Sequence, residues 1–173
     1  MVKKFVITGG PCSGKTATIN HLKKQGFFVF KEAAREVLKT KFKKRHSKEI
    51  NRDVFQREIF KLQEKHLKEA DKSNKKIVFF DRGFGDTLAY YLFAGSDIPK
   101  DLLGKAKKTK YTKVFFLEPL NFYKKDDIRQ ENENEQKKIA EFIIKVYSML
   151  GYDIIKVPFM KIEQRAEFIK KFI

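Results

Sequence analysis

The sequence predicts an α/β protein in which a mainly parallel, five-stranded sheet has helices on both faces. Two observations lead to this fold class. Short apolar runs alternate with helical patterns from end to end, with no internal repeat and no Pro/Gly/Ser-rich linker. A glycine-rich loop joins the first apolar run to the first helical pattern. At 173 residues, the chain fits a single domain spanning 1–173.

The glycine-rich loop lies between a predicted strand at 3–8 and a predicted helix at 16–25. It matches the complete pattern G-x-x-x-x-G-K-[ST] in its expected setting. Its glycines allow backbone N–H groups to approach phosphate oxygens, and the helix adds the positive end of its dipole. Lys15 carries the charge for the β- and γ-phosphates, and the Thr16 hydroxyl is the natural Mg²⁺ ligand. We therefore expect a nucleoside triphosphate at Gly10, Pro11, Cys12, Ser13, Gly14, Lys15 and Thr16.

The second predicted strand, 27–30, is uninterrupted apolar, as is typical of a buried parallel strand, and it follows Gly26, which ends the first helix. The next helical pattern places Glu32, Arg35 and Glu36 on one face. Two interpretations stay open. These residues form a surface ion pair, or Glu32 and Arg35 contact a substrate at the sheet edge where ligands bind in open α/β sheets.

A long helix is predicted within 42–74, and its apolar face includes His66. We expect a packed or rim histidine there rather than a metal ligand, because none of the three histidines has a partner at metal-ligand spacing. The third strand, 77–80, ends in Asp81-Arg82-Gly83. Asp81 is placed like a Walker-B carboxylate that holds Mg²⁺ or takes a proton from a substrate hydroxyl. Arg82 either binds phosphate or holds the Glu32 carboxylate, and Asp86 is predicted as the N-cap of a helix at 87–94.

The last third of the chain predicts a fourth strand at 112–117, a polar segment, a helix ended by Gly151, and a fifth strand at 152–157. The polar segment holds Arg129, which suits a lid at about 119–136 that closes over a triphosphate and stabilises developing charge. The alternative is an ordinary solvated loop. A final helix at 161–172 is expected to turn its apolar residues inward, namely Ile162, Ala166 and Ile169.

Composition bounds the class of protein. One cysteine excludes an internal disulfide, so a reducing, cytoplasmic location is expected. The first residues enter a predicted strand at once, so we expect no signal peptide, and no apolar run approaches the roughly 20 residues of a transmembrane helix. The net charge is +17, with basic runs at 39–52 and 100–113. These runs are either a solvated lysine-rich surface or a docking face for nucleic acid or another anionic partner.

Five parts of the sequence together carry a family resemblance. They are 7–16 (ITGGPCSGKT), 32–36 (EAARE), 80–83 (FDRG) with 86–91 (DTLAYY), 126–131 (DDIRQE) and 150–158 (LGYDIIKVP). In this order they resemble the P-loop family that groups the kinase domain of the NadR nicotinamide-riboside enzymes with the Ttd14-like proteins, often described as "AAA domain" or ATPase/kinase-like. The resemblance implies a three-layer P-loop NTPase fold of the nucleoside- or nucleotide-kinase type. It also implies ATP or GTP at the loop, with Mg²⁺ near Thr16 and Asp81.

The same resemblance suggests catalytic roles for Lys15 at the phosphates, for Glu32 or Asp81 facing an acceptor, and for Arg129 on a lid. Two functions follow. The first is a small-molecule kinase that transfers the γ-phosphoryl group to a hydroxyl. The second is a nucleotide-dependent binding module that recognises phosphoinositide or another anionic partner, as Ttd14-like proteins do. A nucleic-acid end kinase lies between them. The acceptor, the base preference and the oligomeric state stay open.

Overall fold

The computed structural model describes residues 1–43, 50–119 and 133–173. In these residues the chain forms five strands and seven helices. In chain order they are β1 (Lys3–Thr8), α1 (Lys15–Lys24), β2 (Phe28–Phe30), α2 (Ala33–Lys41), α3 (Arg52–Lys72), β3 (Ile77–Asp81), α4 (Phe84–Phe93), α5 (Lys100–Lys108), β4 (Lys113–Leu117), α6 (Glu133–Met149), β5 (Ile154–Val157) and α7 (Ile162–Lys170).

The five strands form one sheet in the order β2-β3-β1-β4-β5, and every neighbouring pair is parallel. This confirms the predicted α/β fold class. In the register, Ile7 of β1 lies opposite Asp81 of β3, and Phe30 of β2 lies opposite Phe80. Parallel pairing places the carboxyl ends of neighbouring strands at one edge. The loop after β1 is therefore flanked by the ends of β3 and β4.

Side chains that alternate along the strands supply two separate cores, as the two-fold period of a strand requires. On one face Phe5, Ile7 and Phe115 pack with residues of α1 and α7. On the other face Val6 and Phe116 pack with residues of α3, α4, α5 and α6. The sheet is thus covered by helices on both faces, as predicted, and β1 is buried at its centre.

The second strand differs from the prediction. It spans only Phe28–Phe30 and lies at the edge of the sheet, with Phe28 38% exposed. Its apolar run reflects aromatic packing rather than burial on both sides. Phe30 stacks on Phe80 and on His66, with ring centroids 5.2 and 4.6 Å apart. Of the packed and rim positions that the sequence left open for His66, the structure shows the packed one, and burial lowers the pKa of this histidine.

The predictions for two residues in helices, Asp86 and Ile162, were also wrong. Helix α4 begins at Phe84 with Gly83 as its N-cap, so Asp86 is not the cap but lies in the first turn. Its carboxylate still reaches back to the N–H of Gly83, at 3.0 Å. In α7, Ile162 is 39% exposed, whereas the buried residues of the helix are Arg165, Ala166 and Ile169.

Within the described residues no helix is long and apolar enough to cross a membrane. The same part of the chain contains no group of three or more His, Cys, Asp or Glu residues arranged to hold a metal ion.

Helix α4 packs against α6 through a glycine. A Cβ on Gly85 would lie 2.6–2.7 Å from ring atoms of Tyr147, whereas a Cβ on Gly104 in α5 would meet nothing within 4 Å. We expect Gly85→Ala to destabilise the fold by about 1–3 kcal/mol through overpacking. The control Gly104→Ala should be neutral or stabilising by up to about 1 kcal/mol through helix propensity. Urea denaturation measures both, and equal midpoints for the two variants would contradict the packing.

Candidate functional site

The glycine-rich loop connects β1 to α1 and depends on glycine at two positions. Gly9 has φ 144°, and a Cβ there would lie 2.5 Å from the Leu117 carbonyl oxygen, so the loop passes directly over the end of β4. Gly14 has φ 81° and forms the left-handed N-cap of α1. Cys12 also has a positive φ, 56°, which side-chain-bearing residues seldom adopt. The backbone of the loop is thus held in a tight, locally strained turn.

Lys15 lies against this loop rather than in solvent. Its side chain is only 2% exposed. The ammonium donates to the carbonyl oxygens of Gly9 and Gly10, at 3.0 and 2.6 Å, and to the Ser13 hydroxyl, at 3.2 Å. One charge is therefore fixed at the loop, while the next residue, Thr16, is exposed in the first turn of α1.

Arg165 of α7 supports the loop from the last helix, and the sequence analysis missed this role. It is 1% exposed, and its Nη1 donates to the Ser13 carbonyl at 2.5 Å. Its Nη2 donates to the carbonyl of Glu118, just past β4, at 3.2 Å. Burial lowers the pKa of Arg165, although arginine stays charged at any physiological pH. A buried guanidinium thus connects the loop to the last helix. The sequence feature that could have indicated this role is a basic residue among the apolar positions of the predicted last helix.

Glu32 lies at the same edge of the sheet, as the N-cap residue of α2 two positions after β2. It is 8% exposed, and both of its carboxylate oxygens accept from arginine. Arg35 Nε donates to Oε2 at 2.9 Å, and Arg82 Nε donates to Oε1 at 3.0 Å. The ion pair with Arg35 predicted from the helix face is present, but it is half-buried rather than a surface pair.

Arg82 connects Glu32 to the loop. Its side chain is 6% exposed, and Nη1 lies 3.4 Å from the Gly9 carbonyl oxygen. Burial lowers the pKa of Arg82, but nearby Tyr90 and three carboxylates outweigh burial and hold that pKa well above its ordinary value. Of the two roles considered for Arg82, the geometry shows the guanidinium holding the Glu32 carboxylate.

Asp86 is the second acidic partner of Arg82, and its role was also missed. Its carboxylate is buried and accepts from four donors. They are the hydroxyls of Thr8 at 2.5 Å and Tyr147 at 2.8 Å, Arg82 Nη1 at 2.8 Å and the Gly83 N–H at 3.0 Å. Burial and the adjacent carboxylate raise the pKa of Tyr147 well above its ordinary value, so the phenol keeps its proton and donates. The signal in the sequence was a lone charge in an otherwise uncharged helix.

Asp81 is buried at the end of β3, opposite Ile7 and therefore beside the start of the loop. As candidate Mg²⁺ ligands, Asp81 offers one carboxylate and the exposed Thr16 offers one neutral hydroxyl oxygen. Mg²⁺ keeps water and phosphate ligands and usually takes only one or two protein carboxylates. This donor set fits a Mg²⁺ ion that arrives with a nucleotide rather than one held in a cage of protein ligands.

Residues 120–132 of the predicted lid, which include Arg129, lie outside the described residues. Residues 133–136 belong to the first turn of α6. That turn reaches the loop, because a Cβ on Gly10 would lie 3.4 Å from the Gln136 carbonyl oxygen and 3.5 Å from Ala140 Cβ. Helix α6, whose first four residues fall within the predicted lid, thus begins directly over the glycine-rich loop.

The hydrogen bonds and ion pair of Asp86 (the Asp86 network) predict how substitutions change the free energy of unfolding. Asp86→Asn leaves the buried Arg82 short of a carboxylate and should destabilise the fold by about 3–5 kcal/mol. Tyr147→Phe removes one of the four donors and should cost about 1–3 kcal/mol. The exposed Asp97→Asn is the matched control, expected within about 0.5 kcal/mol of the parent protein. Chemical denaturation ranks the three, and an Asp86→Asn protein as stable as the control would refute the network.

Comparison with solved structures gives neighbours of known fold. The NadR protein in complex with NAD and AMP-PNP is 16% identical with a TM-score of 0.74, covering 99% of this chain and 49% of that chain. Thymidylate kinase from Candida albicans is 16% identical with a TM-score of 0.73, covering 98% and 90%. Deoxyadenosine kinase from M. mycoides with dATP is 16% identical with a TM-score of 0.61, covering 97% of both chains. The chain thus spans about half the length of the NadR chain.

These likenesses show a kinase-like P-loop fold, and none of the three points to nucleic acid or phosphoinositide as a partner. Comparison with curated proteins gave no match. A family model described as "AAA domain" (AAA_28) matches residues 4–165, which is nearly the whole chain. The chain therefore belongs to the AAA_28 family of P-loop proteins, as the resemblance in its sequence indicated.

Proposed function

We propose that this chain is a small-molecule kinase, which binds ATP or GTP with Mg²⁺ and transfers the γ-phosphoryl group to a hydroxyl of an acceptor. One observation carries the proposal. A buried carboxylate, Glu32, is held on both oxygens by guanidinium groups, and one of these groups also contacts the glycine-rich loop. A carboxylate oriented in this way beside a triphosphate site suits an acceptor hydroxyl, which needs both a proton acceptor and a fixed direction of approach.

The loop supports triphosphate binding. Its glycine-dependent turn leads into α1, whose first N–H groups and dipole favour an anion. Lys15 is already fixed at the loop by three hydrogen bonds. Thr16 and Asp81 would hold Mg²⁺, which in such sites neutralises charge on the phosphate oxygens. The structural neighbours are consistent with this, since they include two kinases and a protein crystallised with AMP-PNP.

The chemical step then follows from the residues at the sheet edge. The acceptor oxygen forms a bond to the γ-phosphorus, and the bond from that phosphorus to the β,γ-bridging oxygen breaks. The nucleoside diphosphate leaves, and the acceptor proton passes to the Glu32 carboxylate. Lys15 and Arg129 would offset charge on the transferred oxygens. Arg35 and Arg82 keep Glu32 in position throughout, because both of its oxygens are bound.

The kinase activity is tested by incubating the protein with ATP or GTP, Mg²⁺ and a panel of nucleosides, sugars and vitamins. Product mass identifies the phosphorylated acceptor. We expect one class of acceptor to raise triphosphate consumption well above the background. Uniform background turnover across the panel would count against a kinase.

Lys15→Ala should weaken triphosphate binding by about 100-fold or more, because it removes the charge fixed at the loop. The fold should persist, since the described hydrogen bonds of the ammonium go to the loop and the buried Ile19 and Leu22 hold α1 against the sheet. Lys24→Ala, exposed at the other end of the same helix, is the control and should bind normally. Calorimetric titration with ATP and GTP makes the measurement, and near-normal binding by Lys15→Ala would remove the loop from the site.

Glu32→Gln and Asp81→Asn should separate two roles. With Glu32 as the proton acceptor, Glu32→Gln lowers turnover by about 10²–10⁴-fold and weakens triphosphate binding by a much smaller factor. With Asp81 beside Mg²⁺, Asp81→Asn raises the Mg²⁺ concentration needed for both binding and turnover. Glu36→Gln, exposed on the same helix as Arg35, controls for general effects on α2. If Asp81→Asn abolishes turnover without altering the Mg²⁺ dependence of binding, Asp81 is the proton acceptor instead.

A further inference from the structure

Helix α6 contacts the described site near both of its ends. Its first turn lies over the glycine-rich loop, where a Cβ on Gly10 would be 3.4 Å from a carbonyl oxygen of the helix. Near its other end, the Tyr147 hydroxyl donates to Asp86 at 2.8 Å. We propose that Tyr147 is a positioning residue for the transfer step, because it fixes the orientation of the Glu32 carboxylate from a distance. Two intervening side chains, Asp86 and Arg82, carry the effect, and the inference rests on the kinase proposed above.

The phenol of Tyr147 has a fixed place against the start of α4. Tyr147 is fully buried. A Cβ on Gly83 would lie 2.8 Å from its hydroxyl oxygen, and one on Gly85 would lie 2.6–2.7 Å from its ring atoms, so two glycines make room for it. Burial and the adjacent Asp86 hold the pKa of the phenol well above its ordinary value, so the hydroxyl keeps its proton. Asp86 thus receives its hydrogen bond from a side chain that has little room to move.

Asp86 divides four donors equally between its two oxygens. Oδ2 accepts from the Tyr147 hydroxyl at 2.8 Å and from the Gly83 N–H at 3.0 Å. Oδ1 accepts from the Thr8 hydroxyl at 2.5 Å and from Arg82 Nη1 at 2.8 Å. The donors on Oδ2 therefore help to hold the carboxylate plane in which Oδ1 meets the guanidinium. Loss of the Tyr147 hydroxyl leaves Oδ2 with one of these donors in a buried place, which favours rotation of the carboxylate toward another partner.

Arg82 transmits the orientation of Asp86 to Glu32. Its Nη1 donates to Asp86 and its Nε donates to Glu32 Oε1 at 3.0 Å, and both nitrogens belong to one planar guanidinium. A rotation that moves one donor therefore moves the other. The Arg82 backbone has φ 70°, a left-handed conformation that is costly for a residue with a side chain and persists where surrounding contacts hold it. Arg35 binds the other oxygen of Glu32, so a weakened contact with Arg82 turns the carboxylate rather than releasing it.

The first test follows the hydrogen bond between Arg82 and Glu32 directly and needs no acceptor. Heteronuclear NMR measures how fast the Arg82 Nε–H exchanges with water, which is slow for a buried, hydrogen-bonded group. We expect Tyr147→Phe to speed this exchange about 10-fold or more. The matched control is Tyr152→Phe, which removes a hydroxyl that donates to the Thr109 carbonyl at 2.8 Å, and its exchange should stay within about twofold of the parent protein. Exchange like that of the parent in Tyr147→Phe, or an equal increase in both variants, would overturn the proposal.

The second test asks whether Tyr147 affects transfer through Glu32. Tyr147→Phe, Glu32→Gln and the double variant are assayed with MgATP and MgGTP on the panel compound that the parent protein phosphorylates, and triphosphate binding is titrated for each. We expect Tyr147→Phe alone to lower kcat about 10-fold or more and to change triphosphate affinity less than about threefold. In the Glu32→Gln background the same substitution should change kcat less than about twofold, because the carboxylate that it orients is gone. An equal loss of kcat in both backgrounds would show a general structural role and contradict the proposal.

The two tests separate this inference from the kinase itself. If no compound on the panel reacts with the parent protein, the kinase proposal fails and the effect on transfer fails with it. Exchange at Arg82 still decides whether Tyr147 orients the Glu32 carboxylate. If a compound reacts and Tyr147→Phe keeps the kcat of the parent protein, the inference is wrong while the kinase proposal stands.

Discussion

The ion pairs of Arg82 hold the site together. This one buried guanidinium contacts the end of the first strand through Gly9, the second strand through Glu32, and the fourth helix through Asp86. Burying a charge carries a large desolvation penalty unless its partners are complete, so each of these contacts depends on the others. The relative positions of the phosphate loop, Glu32 and the start of the fourth helix follow from that dependence.

The loop itself is held through its carbonyl groups by cations from three parts of the chain. Lys15 binds the carbonyls of Gly9 and Gly10 from within the loop, and Arg165 binds the carbonyl of Ser13 from the last helix. Arg82 approaches Gly9 from the third strand. A backbone whose carbonyl groups are paired in this way is restrained in its peptide orientations, which favours a turn shaped before an anion arrives.

The order of the strands explains why acidic groups lie on one side of the loop. The third strand pairs directly with the first, and the second pairs with the third, so Asp81 and Glu32 follow each other outward along the edge. On the other side of the loop, the end of the fourth strand contributes backbone, namely the carbonyls of Leu117 beneath Gly9 and Glu118 bound by Arg165. One side is therefore charged and the other is a backbone surface that packs closely on the loop.

The sequence by itself determined the phosphate loop, the alternation of strands and helices, and the placement of Glu32 and Asp81 after strands, because these depend on local patterns and on the two-residue period of a strand. Only the tertiary structure decided that Asp86 is a buried partner of Arg82 and Tyr147, and that Arg165 supports a loop 152 residues earlier in the chain. It also decided that the apolar second strand lies at the sheet edge. Contacts between distant residues depend on strand order and helix packing, which a local pattern of side chains does not encode.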